Sequence, residues 1–138
     1  MMATLFDTSF VVASNNPKDS KHSQAIKFLA ENRDRFLLPE VVLTESAFLL
    51  GRAGGQPAVT GFLERLVSTK SLLQSVDLID MNRAKEIMLA YPEARLDLVD
   101  CCLMALSERL SITRICTFDR RDFAIFRPKH CDYLELLP

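Results

Sequence analysis

The stretch Leu96-Asp97-Leu98-Val99-Asp100-Cys101-Cys102-Leu103-Met104-Ala105-Leu106-Ser107-Glu108-Arg109-Leu110, followed by Thr113-Arg114-Ile115-Cys116-Thr117-Phe118-Asp119, decides the fold. In its first part Val99, Cys102, Leu103, Leu106 and Leu110 are spaced 3, 1, 3 and 4 apart. That is the period of a helix with one buried stripe, and it predicts a helix over 97–110. The second part is rich in β-branched and aromatic residues and ends at an aspartate, which predicts a strand over 113–118.

Outward from this pair the same alternation continues. Ala3-Thr4-Leu5-Phe6 is a short apolar run that stops at Asp7, as a buried strand does when it delivers a polar residue at its carboxyl end. A polar loop over 14–18 leads to an amphipathic helix over 20–33. Phe36-Leu37-Leu38 reads as a second strand, and a helix over 40–53 starts behind Pro39. Gly51, Gly54 and Gly55 mark a turn before a further helix over 57–69. A third strand is expected over 72–78, a helix capped by Asp80 runs to Tyr91, and a last strand lies over 132–137. Strands alternating with helices predict a three-layer α/β/α sandwich around a central parallel sheet, with right-handed crossovers.

The 138 residues suit one domain, 1–138, near the commonest domain size. Hydrophobic residues make up 49% and charged residues 25%, which excludes a disordered or collagen-like chain. The opening residues have no basic start and are interrupted by Asp7, so no signal peptide is expected. No apolar run approaches the roughly 18–20 residues of a membrane span. A cytoplasmic protein without a membrane partner is therefore expected. Cys101, Cys102, Cys116 and Cys131 lack C-x-x-C spacing and read as buried free thiols.

In an open parallel sheet, ligands gather beyond the carboxyl ends of the strands. Asp7 and Asp119 each follow a strand, while Glu45 and Asp100 sit near helix starts among apolar neighbours. A buried carboxylate is costly unless it is paired or coordinates a metal. Asp97 shares a helix face with Asp100, and it is read either as the N-cap or as part of the acidic set. Neither a P-loop nor a nucleophile elbow is present, so nucleotide hydrolysis and serine-hydrolase chemistry lack their machinery.

The ordered set Asp7-Thr8-Ser9, Leu43-Thr44-Glu45-Ser46, the 96–110 helix and Thr117-Phe118-Asp119-Arg120-Arg121-Asp122-Phe123 resembles the PIN-domain family, and within it the VapC-like toxins of toxin–antitoxin pairs. The resemblance spans essentially the whole chain. It implies a metal-dependent endoribonuclease in which Asp7, Glu45, Asp100 and Asp119 are the catalytic, metal-holding acids, with Mg²⁺ or Mn²⁺ as cofactor. Asp97 matches a more variable acidic position. It also implies a small cognate antitoxin and a homodimer. Cys101 stands where the family has a small alanine, and Phe118 where a leucine is common. All-oxygen carboxylate sets suit hard divalent cations. Thr8, Ser9 and Thr117 are expected either to hold those carboxylates in place or to make simple turn bonds.

The net charge of −1 advertises no polyanionic partner, yet its distribution is uneven. Residues 113–129 carry five basic side chains against two acidic ones, a local +3. Arg114, Arg120 and Arg121 are the expected RNA contacts. Phe123 and Phe126 are read as stacking on bases or as core residues, and Arg52 and Arg65 as a second groove edge or as solvated. Two competing readings are a non-catalytic PIN-like module that binds RNA or protein, and a phosphoacceptor or small-ligand domain with Asp7 as nucleophile.

Overall fold

The computed structural model describes residues 2–138. Five strands, β1 (Ala3–Phe6), β2 (Arg35–Pro39), β3 (Leu72–Gln74), β4 (Arg114–Cys116) and β5 (Glu135–Leu137), form one sheet in the order β3-β2-β1-β4-β5. Every pairing is parallel. Six helices surround it: α1 (Thr8–Asn15), α2 (His22–Glu31), α3 (Glu40–Ser68), α4 (Leu78–Ala90), α5 (Leu98–Arg109) and α6 (Arg121–Ile125). Because side chains alternate along a strand, Leu5 and Ile115 enter the larger core with Val42, Leu50, Phe62, Leu103 and Leu106. Phe6 and Cys116 enter the smaller one with Phe10, Ala25 and Phe28. The result is the expected α/β sandwich with a central parallel sheet.

The chain runs outward from β1 through β2 to β3, then crosses back to place β4 on the other side of β1. Strand order therefore reverses between β1 and β4, which is where open α/β sheets open a crevice. The register Phe6↔Cys116 ends both strands at one level, so Asp7 and residues 117–119 leave the sheet side by side.

The end of the third strand and the cap behind it need correction, and two helices were not expected. Asp7 is followed at once by a helix, α1, because Phe10, Val11 and Ala13 bury themselves against the sheet. The expected glycine turn falls at Gly55, where φ 73° and ψ −170°, a backbone that L side chains rarely adopt, kink α3 into two helical halves. β3 stops at Gln74, since Asp77 rather than Asp80 is the N-cap of α4. The short helix α6 had no sequence signal of its own.

Asp80 instead pins α4 to α5. Its buried carboxylate accepts two bonds from Arg109, at 2.7 and 2.9 Å, and one from the backbone N–H of Asp77 at 2.9 Å. Burial alone would raise its pKa, but the Arg109 hydrogen bonds and charge, together with the Asp77 N–H, hold it below the usual carboxylate range. A depressed pKa contributes stability above the unfolded value and loses it as pH falls through the folded one. Arg109→Met is expected to destabilise the fold by about 1–3 kcal/mol at neutral pH. In urea melts the gap to the unsubstituted protein should close as pH drops below the carboxylate range.

Candidate active site

Seven carboxylates, Asp7, Asp19, Glu45, Asp97, Asp100, Asp119 and Asp122, line one cleft of about 660 Å³ at the β1/β4 crevice. All four acids expected from sequence are among them. Asp7 ends β1 and is 3% exposed; Asp100, in the first turn of α5, is 7% exposed. Glu45, on the first half of α3, is half-buried, and Asp119 is exposed just beyond β4. Glu45 is less enclosed than its apolar neighbours suggested, since Phe48 is 63% exposed.

Asp7 is held by hydroxyls. Thr117 Oγ1 donates to its Oδ2 at 2.6 Å, and Ser9 Oγ stands 3.2 Å from the same oxygen. Each hydroxyl has one proton. Thr117 gives its proton to Asp7 and accepts from the Asp119 backbone N–H at 3.0 Å. Ser9 accepts from the Phe118 N–H at 2.9 Å, leaving its own proton for Asp7 or for Thr117 at 3.1 Å. Ser9 and Thr117 thus lock the loop after β4 to the end of β1. Thr8 Oγ1, also on the cleft wall, is buried without a hydrogen-bond partner among the described residues. Asp97 is the N-cap of α5, accepting from the N–H groups of Val99 at 3.1 Å and Asp100 at 3.4 Å.

The electrostatics are unresolved within the chain itself. Burial pushes Asp7 up, against the Thr117, Thr8 and Ser9 hydrogen bonds that lower it, and the Asp119 charge adds to the rise. Asp100 is pushed up to about 9 by burial first, then by its hydrogen bond with Asp122 and by the charges of Asp7, Asp122 and Asp97. Among the described residues no Lys or Arg forms an ion pair with Asp7, Glu45, Asp100 or Asp119. Nor do any three acids already close into a bare-ion cage. An oxygen-only set spread over an open cleft, with two buried members uncompensated, fits a cation that retains its waters, as Mg²⁺ does. Cys101 and Cys116 are pushed up to about 12, chiefly by burial, and remain protonated thiols.

The basic residues divide. Arg121 reaches the cleft, 3.1 Å from Asp122 and bonded to the Ala94 carbonyl at 2.7 Å. Arg120 lies beside it and donates to the Pro138 carbonyl. Arg114 does not belong there: it opens β4 at the far end of the sheet, 3.3 Å from Asp34 and 3.7 Å from Glu135. Strand direction explains the error: Arg114 begins β4, whereas the acids lie beyond its carboxyl end at Cys116. Phe123 and Phe126 are each 1% exposed and belong to the core. Arg65 bonds Asn15 at 2.8 Å, and Arg52 stands 5.8 Å over Phe48.

Asp122, Lys21 and Asp19 also line the cleft and were not singled out from sequence. Asp122 carried a signal: it lies three residues after Asp119, directly before the buried Phe123, where a helical turn returns it toward the acids. Lys21 carried none, because only the folding of α2 against α1 brings it near.

The PIN domain family model matches residues 4–127, and the chain belongs to that family. It is 23% identical over 124 residues to Ribonuclease VapC26 of Mycobacterium tuberculosis, covering 90% of this chain and 92% of that one. In structure it resembles the sarcin-ricin-loop-cleaving toxin VapC20 of M. tuberculosis, with a TM-score of 0.80 and 25% identity over 89% of this chain and 95% of that one. It also shares the fold of VapBC2 from Rickettsia felis, determined bound to a promoter DNA fragment. There the TM-score is 0.70 at 14% identity, covering 98% of this chain and 97% of that one. No helix among the described residues is long and apolar enough to cross a membrane.

A carboxyl group raised above its unfolded pKa holds its proton longer in the folded state, so stability declines as pH climbs between the two values. For Asp100 that window runs from 3.8 to about 9. Metal-free protein is expected to melt at progressively lower temperature across this window, Asp100→Asn to flatten the decline, and Mn²⁺ to reverse it. Thermal melts in chelator across the pH range check all three.

Proposed function

We propose that this PIN domain is a divalent-cation-dependent endoribonuclease and the toxin of a VapBC-type pair. The observation that carries the reading is the convergence of Asp7, Glu45, Asp100 and Asp119 on one cleft with no cation of the protein paired to them. The similarity to Ribonuclease VapC26 supplies the substrate class. Those four acids would hold Mg²⁺ or Mn²⁺, which when bound lowers the pKa of a coordinated water and offsets charge developing on phosphate oxygens. Ser9 and Thr117 hold the Asp7 carboxylate in one orientation, so no side-chain reorganisation is required as the substrate arrives. Glu45, without a hydrogen bond among the described residues, is free to share the cation or to orient the attacking water. In hydrolysis a water oxygen would bond to phosphorus as a phosphorus–ribose oxygen bond breaks, a cleft carboxylate taking the water's proton and the departing ribose oxygen taking one from solvent. Arg121 and Lys21 border the acids, Arg120 follows Asp119 with its side chain turned to Pro138, and together they would attract the phosphate backbone.

The antitoxin partner is supported by structural relatives such as a toxin–antitoxin complex from Klebsiella pneumoniae, which shares the fold at a TM-score of 0.64. A small antitoxin would cover the acidic cleft and meet its carboxylates with an arginine. On this reading the protein would act in the cytoplasm, where its RNA substrate is found. Homodimerisation is supported by an apolar groove of about 310 Å³ between the end of α3 and β3. Leu63, Val67 and Leu73 there are 42%, 78% and 54% exposed. A second copy is the occupant that would cover it.

With Mn²⁺ the protein is expected to cleave RNA. Asp7→Asn or Asp100→Asn should each lower the rate by more than about 100-fold, beyond the loss usual for residues that merely support a metal ligand. Excess EDTA should abolish cleavage, and undiminished cutting in either variant would remove the metal mechanism. For the dimer, Val67→Asp should yield a monomer by light scattering with an unchanged circular dichroism spectrum. A dimer that survives the substitution places the interface elsewhere.

A further inference from the structure

The cleft has one aromatic wall, Phe118. Its ring is half-buried and closes a row of near-parallel rings. Phe10 stacks on it at 5.7 Å and 16°, Phe6 on Phe10 at 5.4 Å and 12°, and Phe36 on Phe6 at 4.9 Å and 6°. Phe10 is fully buried, so the row cannot shift, and the Phe118 ring is backed by core. Its backbone is as fixed as its ring, because the Phe118 N–H donates to Ser9 Oγ, the same hydroxyl that stands 3.2 Å from Asp7. Thr117 and Asp119 flank it, and consecutive Cα atoms lie about 3.8 Å apart, so the ring is within one nucleotide of the acids. Lys21, exposed at the start of α2, holds its Nζ over the outer face of the ring, 5.9 Å from the centroid, so a base stacking there displaces the ammonium toward the neighbouring phosphate. A rigid aromatic face with a mobile cation beside it is what single-stranded nucleic acid uses: a base stacks on the ring while the cation takes the neighbouring phosphate.

We infer that Phe118 and Lys21 form a nucleobase subsite, in which a base next to the scissile phosphate stacks on the Phe118 ring and its phosphate pairs with Lys21. The inference rests on the ribonuclease reading and adds to it where the substrate lies. Stacking on a π face is tolerant of sequence, so the subsite selects unpaired RNA rather than a particular base. It replaces Phe123 and Phe126 as the stacking surface, since neither reaches the cleft.

The test uses short single-stranded oligoribonucleotides carrying 2-aminopurine at one position at a time, bound to Asp100→Asn protein so that the RNA stays intact. One position should show stacking quench. Adding Phe118→Leu should remove that quench and weaken binding on the order of 10- to 100-fold, while Phe118→Trp restores both. Lys21→Met should lower the salt dependence of binding by about one phosphate contact and leave the quench in place. In the Asp100-intact protein, an abasic nucleotide at the quenched position should slow cleavage as much as Phe118→Leu does, with no further loss when the two are combined. Equal RNA affinity and quench with and without Phe118→Leu, in protein of unchanged melting temperature and Mn²⁺ affinity, overturns the subsite and leaves the ribonuclease intact. RNA left uncut by the unsubstituted protein with Mn²⁺ overturns the ribonuclease reading and this inference with it.

Discussion

Two neighbouring carboxylates largely withdrawn from water repel each other and resist charging, and Asp7 and Asp100 are fixed in that position by the central strand and the central helix of the fold. Asp7 is the residue at which β1 ends, and its backbone N–H is bonded to the Cys116 carbonyl at 2.9 Å. Asp100 lies in the first turn of α5, whose residues from Val99 to Ser107 are all buried. Neither can retreat to solvent without unpicking the central strand or the central helix. The chain therefore stores an electrostatic conflict where its core is least able to relax. Only protons or an external cation relieve it, because the nearest arginine, Arg121, is bound to Asp122 and to the Ala94 carbonyl.

Sheet order makes this possible. A parallel sheet brings all strand carboxyl ends to one rim, and the reversal between β1 and β4 leaves a gap there that no crossover helix covers. Hydroxyls rather than charges brace that gap. The Ser9 and Thr117 bonds tie α1 to the loop after β4 while leaving the carboxylates their negative charge, which an arginine in the same place would have cancelled.

How much of this was legible in the sequence depended on whether a residue's role is local. The strands at Leu5 and Ile115 and the stripe of α5 announced themselves because burial imposes period and composition. Asp7 and Asp119 followed from where those runs stop. Asp97 stayed ambiguous because an N-cap and a cleft acid have the same sequence position, and in the fold it is both, capping α5 while lining the cleft. Helix α1 was missed because its four apolar residues, Phe10 to Ala13, are contiguous and show no helical period. Arg114 was misplaced because local charge density ignores strand direction. Lys21 and the ring row behind Phe118 were invisible, since Phe6, Phe10, Phe36 and Phe118 meet only through tertiary packing.

The net charge of −1 now has a physical interpretation. Set aside Asp7, Glu45, Asp100 and Asp119, and the remainder is +3. As long as those four acids are ionised and unneutralised, their field opposes the approach of a phosphate to the cleft, and Arg120, Arg121 and Lys21 act against it at the rim. A bound divalent cation changes the sign of that balance locally, so cation binding and substrate binding are coupled by the same charges. Each should strengthen the other, because by linkage a ligand that lowers the cost of holding a second one is favoured by it in equal measure. On the ribonuclease reading the acidic cleft would thus set nucleic-acid affinity as well as hold the chemistry, and an antitoxin arginine seated among the same carboxylates would satisfy their charge while leaving no room for the phosphate.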